Sequence, residues 1–181
     1  MSVFRSTVIG VAAGALSFAL AACDEGPSTN VTYKMDDVWQ VAQAVMASGP
    51  LLVLIDGAPY GGEAPRLAES VVEDMETAIT WYATPRFTAE ATEAASTTLR
   101  IVMTFNGGST LSSRGQCRGR ASGGEPLDNG RVEVIATFCD DSVVLANVRG
   151  WIGRSESASD PRFSSLIRQA TRDMFTKSTS P

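Results

Sequence analysis

The chain has 181 residues, 15 Lys and Arg against 20 Asp and Glu, a formal charge of −5 and no histidine. An acidic balance argues against nucleic acid or anionic lipid as a general partner, and the lack of histidine excludes His-dependent triads, Cys-His dyads and His-ligated zinc. A hydrophobic share of 44% beside 19% charged residues belongs to a globular chain with a sizeable core, while the two lysines, Lys34 and Lys177, leave no candidate for a Ser-Lys dyad or a phosphate-gripping loop.

Residues 1–22 read as a targeting segment: Arg5 and the amino terminus supply positive charge, and an apolar run from Val8 to Leu20 follows. That run is too short for a comfortable membrane span, which needs about 20 apolar residues. It ends in Leu20-Ala21-Ala22-Cys23, which resembles the lipobox of bacterial lipoproteins. The resemblance covers the leader alone. It implies cleavage before Cys23, acyl chains such as palmitate on that residue, and a domain lipid-anchored to a membrane of the cell envelope, facing the periplasm. Asp24 resembles the inner-membrane retention signal of enteric bacteria, with the outer membrane as the alternative. Residues 23–34 are then expected to be the lipidated Cys and a polar tether, residues 35–177 the globular domain, and residues 178–181 a frayed tail.

With Cys23 assigned to lipid, Cys117 and Cys139 remain, and an oxidising compartment favours a disulfide between them. It would close a loop of about 20 residues, worth roughly 3 kcal/mol in the chain-entropy model. The alternative is a pair of buried thiols.

The domain begins with a helix over residues 36–47, where Val38, Val41, Ala42 and Val45 share a face and Asp36 and Asp37 are placed to cap it. The apolar run of residues 51–55 suits a buried central strand. A turn-rich loop, residues 57–64, leads into the strongest helical pattern, residues 65–82, with Leu67, Val71, Met75, Ala78 and Tyr82 on one side. Residues 89–96 fit either a short helix or a loop. Residues 99–105 alternate as a strand, residues 106–114 form a Gly/Ser-rich loop, and residues 116–120 suit a short strand carrying Cys117. Residues 131–139 and 143–152 form a β-hairpin about Asp140-Asp141-Ser142. Ser159-Asp160-Pro161 opens a last helix with Phe163, Leu166, Ile167, Ala170, Met174 and Phe175 on its apolar side. This order predicts a single α+β (mixed α/β) domain: a mixed sheet of four or five strands, a C-terminal hairpin and about three packed helices. At the level of fold class the layout is similar to the small α/β lipoprotein domains that activate cell-wall synthases or seed secretion pores.

Two loops and one aromatic are candidate sites. Asp56, Tyr60, Gly61 and Gly62 follow the central strand and precede the strongest helix, where ligands often bind in α/β sheets, but the glycines match neither a dinucleotide nor a Walker pattern. Arg114, Arg118 and Arg120 make a local basic patch beside the Gly107 loop. Trp151 on the hairpin is a candidate interface residue. Asp140 and Asp141 are explained by turn chemistry. No metal, no cofactor and no catalytic constellation is expected, so the leading expectation is a non-enzymatic binding or assembly module for another envelope component. The alternatives are a small-ligand or glycan-binding lipoprotein using the Asp56 loop and, behind it, a carboxylate-based hydrolase.

Overall fold

The apolar run after Pro50 does become a central strand, parallel to the alternating segment that ends at Phe105, with a helix bridging the two. In chain order the elements are β1 (Ser28–Lys34), α1 (Val38–Ser48), β2 (Leu51–Asp56), α2 (Ala64–Ala78), β3 (Phe87–Thr88), β4 (Ser96–Phe105), α3 (Ser113–Cys117), β5 (Arg131–Asp140), β6 (Val143–Arg154) and α4 (Pro161–Phe175). They belong to a computed structural model that describes residues 26–62 and 64–176. The leader, Cys23, Asp24 and the tail at 178–181 lie outside the described residues.

The strands form one mixed six-stranded sheet in the order β1-β6-β5-β4-β2-β3. Neighbours are antiparallel from β1 through β4, and β2 runs parallel to both β4 and β3. A parallel pair needs a crossover, and α2 supplies it. The period of two puts Val53, Ile101, Met103, Phe105, Val134, Ala136, Phe138, Ala146 and Val148 on one face. There they bury against α1, α2 and α4, whose own stripes include Ala42, Met46, Val71, Met75, Phe163, Leu166 and Phe175. The opposite face carries a smaller apolar cluster of Val102, Cys117 and Cys139, covered by α3. The fold class is thus as expected, with one strand more than the upper expectation and four helices among the described residues.

Four local expectations are corrected. Most of the supposed tether, residues 28–34, is the edge strand β1. Its Thr29 hydroxyl donates to Asp173 and accepts from Gln169 Nε2 at 2.8 Å, and Lys34 Nζ donates to the carbonyls of Asp173 and Thr176 at the end of α4. Residues 116–120 are not a strand. Ser112 Oγ accepts from Gly115 N at 3.1 Å and starts the short helix α3, which buries Gln116 and Cys117. Asp37 does not cap α1 through its side chain; it sits in the left-handed region at φ 57° and turns the chain into the helix. And α2 stops at Ala78, short of Tyr82. Trp81 leaves the helix to meet Trp39 edge-on, 5.9 Å between ring centres, as the chain turns back towards β3.

Candidate functional site

The loop after β2 divides into three parts. Asp56 is on the sheet face away from α1, α2 and α4, and its carboxylate accepts from Gly123 N at 2.9 Å. Around that bond, Ala58 N donates to Gly124 O at 2.9 Å and Gly124 N to Phe105 O at 3.0 Å. Asn106 completes the seam by donating from Nδ2 to Glu125 O and accepting at Oδ1 from Glu133 N. The 123–125 segment is therefore stitched across the carboxyl ends of β2 and β4, where an open α/β sheet would offer its ligand crevice. Glycine is required for this approach. A Cβ on Gly123 would lie 2.2 Å from Gly57 N, and one on Gly124 would lie 2.4 Å from Asn106 O.

Further along, Tyr60 packs edge-on against Phe163 with ring centres 5.5 Å apart, and its hydroxyl meets Ser155 Oγ at 2.9 Å. Burial pushes its phenol pKa up to about 12, against the opposing effect of the Ser155 hydrogen bond. Tyr60 and Gly61 line a cavity of about 210 Å³ with Arg66, Leu67 and Glu156. Gly62 is exposed and lies outside that lining.

The basic patch divides too. Three attachments hold α3 on the sheet: the Cys117–Cys139 disulfide, the buried Gln116 amide, and Arg100 Nη2, which donates to Cys117 O at 2.6 Å. Arg114 and Arg118, four positions apart and both exposed, lie on one side of α3. They line a groove of about 790 Å³ with Tyr33, Ser112, Ser142 and Val143. Among the described residues neither guanidinium has an ion-pair or hydrogen-bond partner. Arg120 instead lines a separate depression of about 430 Å³ with Gly108, Thr110 and Ser122.

Sequence reasoning missed Tyr33 and Val143, which are 50% and 59% exposed at the mouth of this groove. The strand-forming run Val31-Thr32-Tyr33 was the available signal for the first. Trp151 does not join the groove. It is paired with Ser28 and Glu133 on adjacent strands, with the Arg131 guanidinium 5.4 Å from its ring centre.

The groove offers two cations, serine hydroxyls, one aromatic ring and the side chains of Val143 and Val144, a set that binds an anionic ligand carrying some apolar surface. Among the described residues no three His, Cys, Asp or Glu side chains gather as a metal site, and no helix is long and apolar enough to cross a membrane.

No family model matches the chain, and no curated protein is significantly similar to it. Among solved structures it is similar to a PelC L103M dodecamer from Paraburkholderia phytofirmans, at 15% sequence identity and a TM-score of 0.43, over 83% of this chain and 98% of that one.

Proposed function

We propose that this chain is a lipid-anchored, non-enzymatic binding module of the bacterial envelope, and that it grips an acidic segment of a partner protein in the groove between α3 and the β5–β6 hairpin. The observation that carries the reading is the unengaged pair Arg114 and Arg118 on an acidic chain. Two like charges four apart on a helix repel by a few tenths of a kcal/mol, and a bound carboxylate relieves that repulsion while gaining charge-assisted hydrogen bonds. The exposed Tyr33 ring and the Val143 side chain supply apolar contact at the same mouth. The lipobox-like Leu20-Ala21-Ala22-Cys23 supports the anchor and the periplasmic address.

The test is a titration of the full chain with a short Asp/Glu-rich peptide carrying one aromatic residue. Binding is expected to weaken as salt rises and to fall at least about tenfold in Arg114→Glu/Arg118→Glu, the loss of roughly 1.4 kcal/mol. Equal affinity in the double variant overturns the reading.

A second reading, a small-ligand binder, is favoured by the cavity beside Tyr60 and Gly61. Its volume is below the usual range of about 300–1,000 Å³ for ligand pockets, so only a small molecule fits. A thermal shift produced by such a ligand and lost in Tyr60→Ala, which removes a wall of that cavity, would favour it over the groove.

A further inference from the structure

The strand β1 fixes the chain's entry point into the fold. It joins the sheet at Ser28, level with Trp151, and leaves it at Lys34, level with Ala146. The sheet therefore has a Ser28 end and a Lys34 end, roughly 20 Å apart along the strand. At the Ser28 end are Trp151, the paired Arg131 and Arg154, and the 155–160 turn with Arg162. At the Lys34 end is the β5–β6 turn, where Ser142 and Val143 line the groove.

We infer that the Ser28 end of the sheet lies against the headgroups of a zwitterionic phospholipid surface, with Trp151, Arg131 and Arg154 at the contact and the groove turned away from the bilayer. The inference rests on the proposed lipidation of Cys23 and adds to it an orientation and a contact face. Only residues 24–27 separate Cys23 from Ser28. Five Cα steps span at most roughly 17 Å, less than the length of β1 itself. The strand cannot swing on this short lead, because Thr29 is bonded to Asp173 and Gln169, and Lys34 clamps the last carbonyls of α4.

The chemistry of the end suits headgroups. Half-buried Trp151 offers an indole beneath the Arg131 guanidinium, and amphipathic aromatics settle at the level where lipid meets water. Arg131 is paired to Glu133 at 2.9 Å and Arg162 to Asp160 at 2.7 Å, while Arg154 has no such partner among the described residues. Alternating charges of this kind complement a phosphate and an ammonium on one headgroup better than they complement a uniformly anionic surface.

The lipidated full chain is reconstituted in phosphatidylethanolamine-rich vesicles carrying a headgroup nitroxide. In Trp39→Phe/Trp81→Phe the remaining indole, Trp151, is expected to be quenched several-fold more than the indole of Tyr33→Trp in a Trp39→Phe/Trp81→Phe/Trp151→Phe background. Vesicle-bound protein in which the Tyr33→Trp indole is quenched as much or more overturns the orientation and leaves the anchor standing. Cys23→Ala protein that still sediments with the vesicles overturns the anchor instead. Hydrogen exchange on the unsubstituted lipidated chain gives the same contrast without touching the indoles. Slowed exchange at 150–154 with none at 142–144 supports the orientation, and the reverse, or no slowing at either, overturns it.

Discussion

The Thr137 hydroxyl donates to Gln116 Oε1 at 2.5 Å, and through this bond the short helix α3 reaches the middle of the sheet. Gln116 Nε2 in turn donates to Thr104 Oγ1 at 2.8 Å and to Ile135 O at 2.9 Å. Asn147 Nδ2 donates to Thr137 Oγ1 at 2.7 Å, and Thr32 donates to Asn147 Oδ1. One polar chain thus crosses β4, β5, β6 and β1 on the face opposite α4. Gln116, Thr104, Thr137 and Asn147 are all buried, so each bond stands in for hydration those groups have lost.

Gln116→Ala removes the hub and leaves the Thr104 and Thr137 hydroxyls without it. The expected loss in denaturant unfolding is about 1–3 kcal/mol for the orphaned polar groups, with a further loss from the cavity. Gln116→Leu/Thr137→Val is expected to cost less than the sum of its single changes, since it removes both partners of one bond together.

The disulfide closes a sequence separation of 22 residues. Cys117→Ala/Cys139→Ala is expected to lower unfolding free energy by about 3 kcal/mol. It also frees the end of α3 that carries Arg118, so the acidic peptide of the groove test is expected to bind more weakly to this variant even where it is fully folded.

Asp74 of α2 is buried against α4. That burial raises its carboxyl pKa above the ordinary 3.8, although Ser164 and Arg168, the latter at 3.8 Å, pull it the other way. A raised folded-state pKa means that the contribution to stability is present below the unfolded value and is lost as pH rises through the folded one. The ionised group therefore weakens the fold at neutral pH. Asp74→Asn is expected to melt at a higher temperature than the parent at pH 7, and the gain is expected to disappear as pH falls below the ordinary carboxylate value. A lower melting temperature at pH 7 would show that the Arg168 contact outweighs burial.

Gly123→Ala places a methyl 2.2 Å from Gly57 N. No rotamer change relieves a clash with backbone, so the 123–125 seam must move. The expected cost is about 1–3 kcal/mol, the usual range for overpacking. Faster amide exchange at Ala58 and Gly124, whose N–H groups are bonded across the seam, would locate the damage.

Periodicity carried most of the elements because burial on one face leaves its mark in the local sequence. The stripe of Leu67, Val71 and Met75, the alternation of Ile101, Met103 and Phe105, and the run Leu51-Leu52-Val53 each name their element without reference to anything distant. The β1 strand lacks such a mark. As an edge strand with four consecutive exposed residues, 30–33, it has no alternation to read, and its one strand-forming run, Val31-Thr32-Tyr33, is only three residues long.

The candidate site was legible as residue types and not as a constellation. Arg114 and Arg118 sit together because their spacing on a helix demands it, whereas Tyr33 reaches the same groove from 81 residues before Arg114 and Val143 from 25 residues after Arg118. Asp56 has the look of a crevice mouth in the sequence because it follows the central strand and precedes the strongest helix. The seam with Gly123 that fills that place depends on a loop some 67 residues further on.

By itself the sequence determined the fold class, the principal helices and strands and the two cysteines available to pair, since hydrophobic spacing and composition are properties of neighbours. Tertiary structure alone decided that residues 28–34 pair with β6, that 123–125 closes the sheet's carboxyl end, and that Tyr33 lines one groove with Arg114 and Arg118. The physical reason is that an edge strand, a backbone seam and a groove are defined by groups from distant parts of the chain, whose hydrogen bonds and contacts exist only once the core has brought them together.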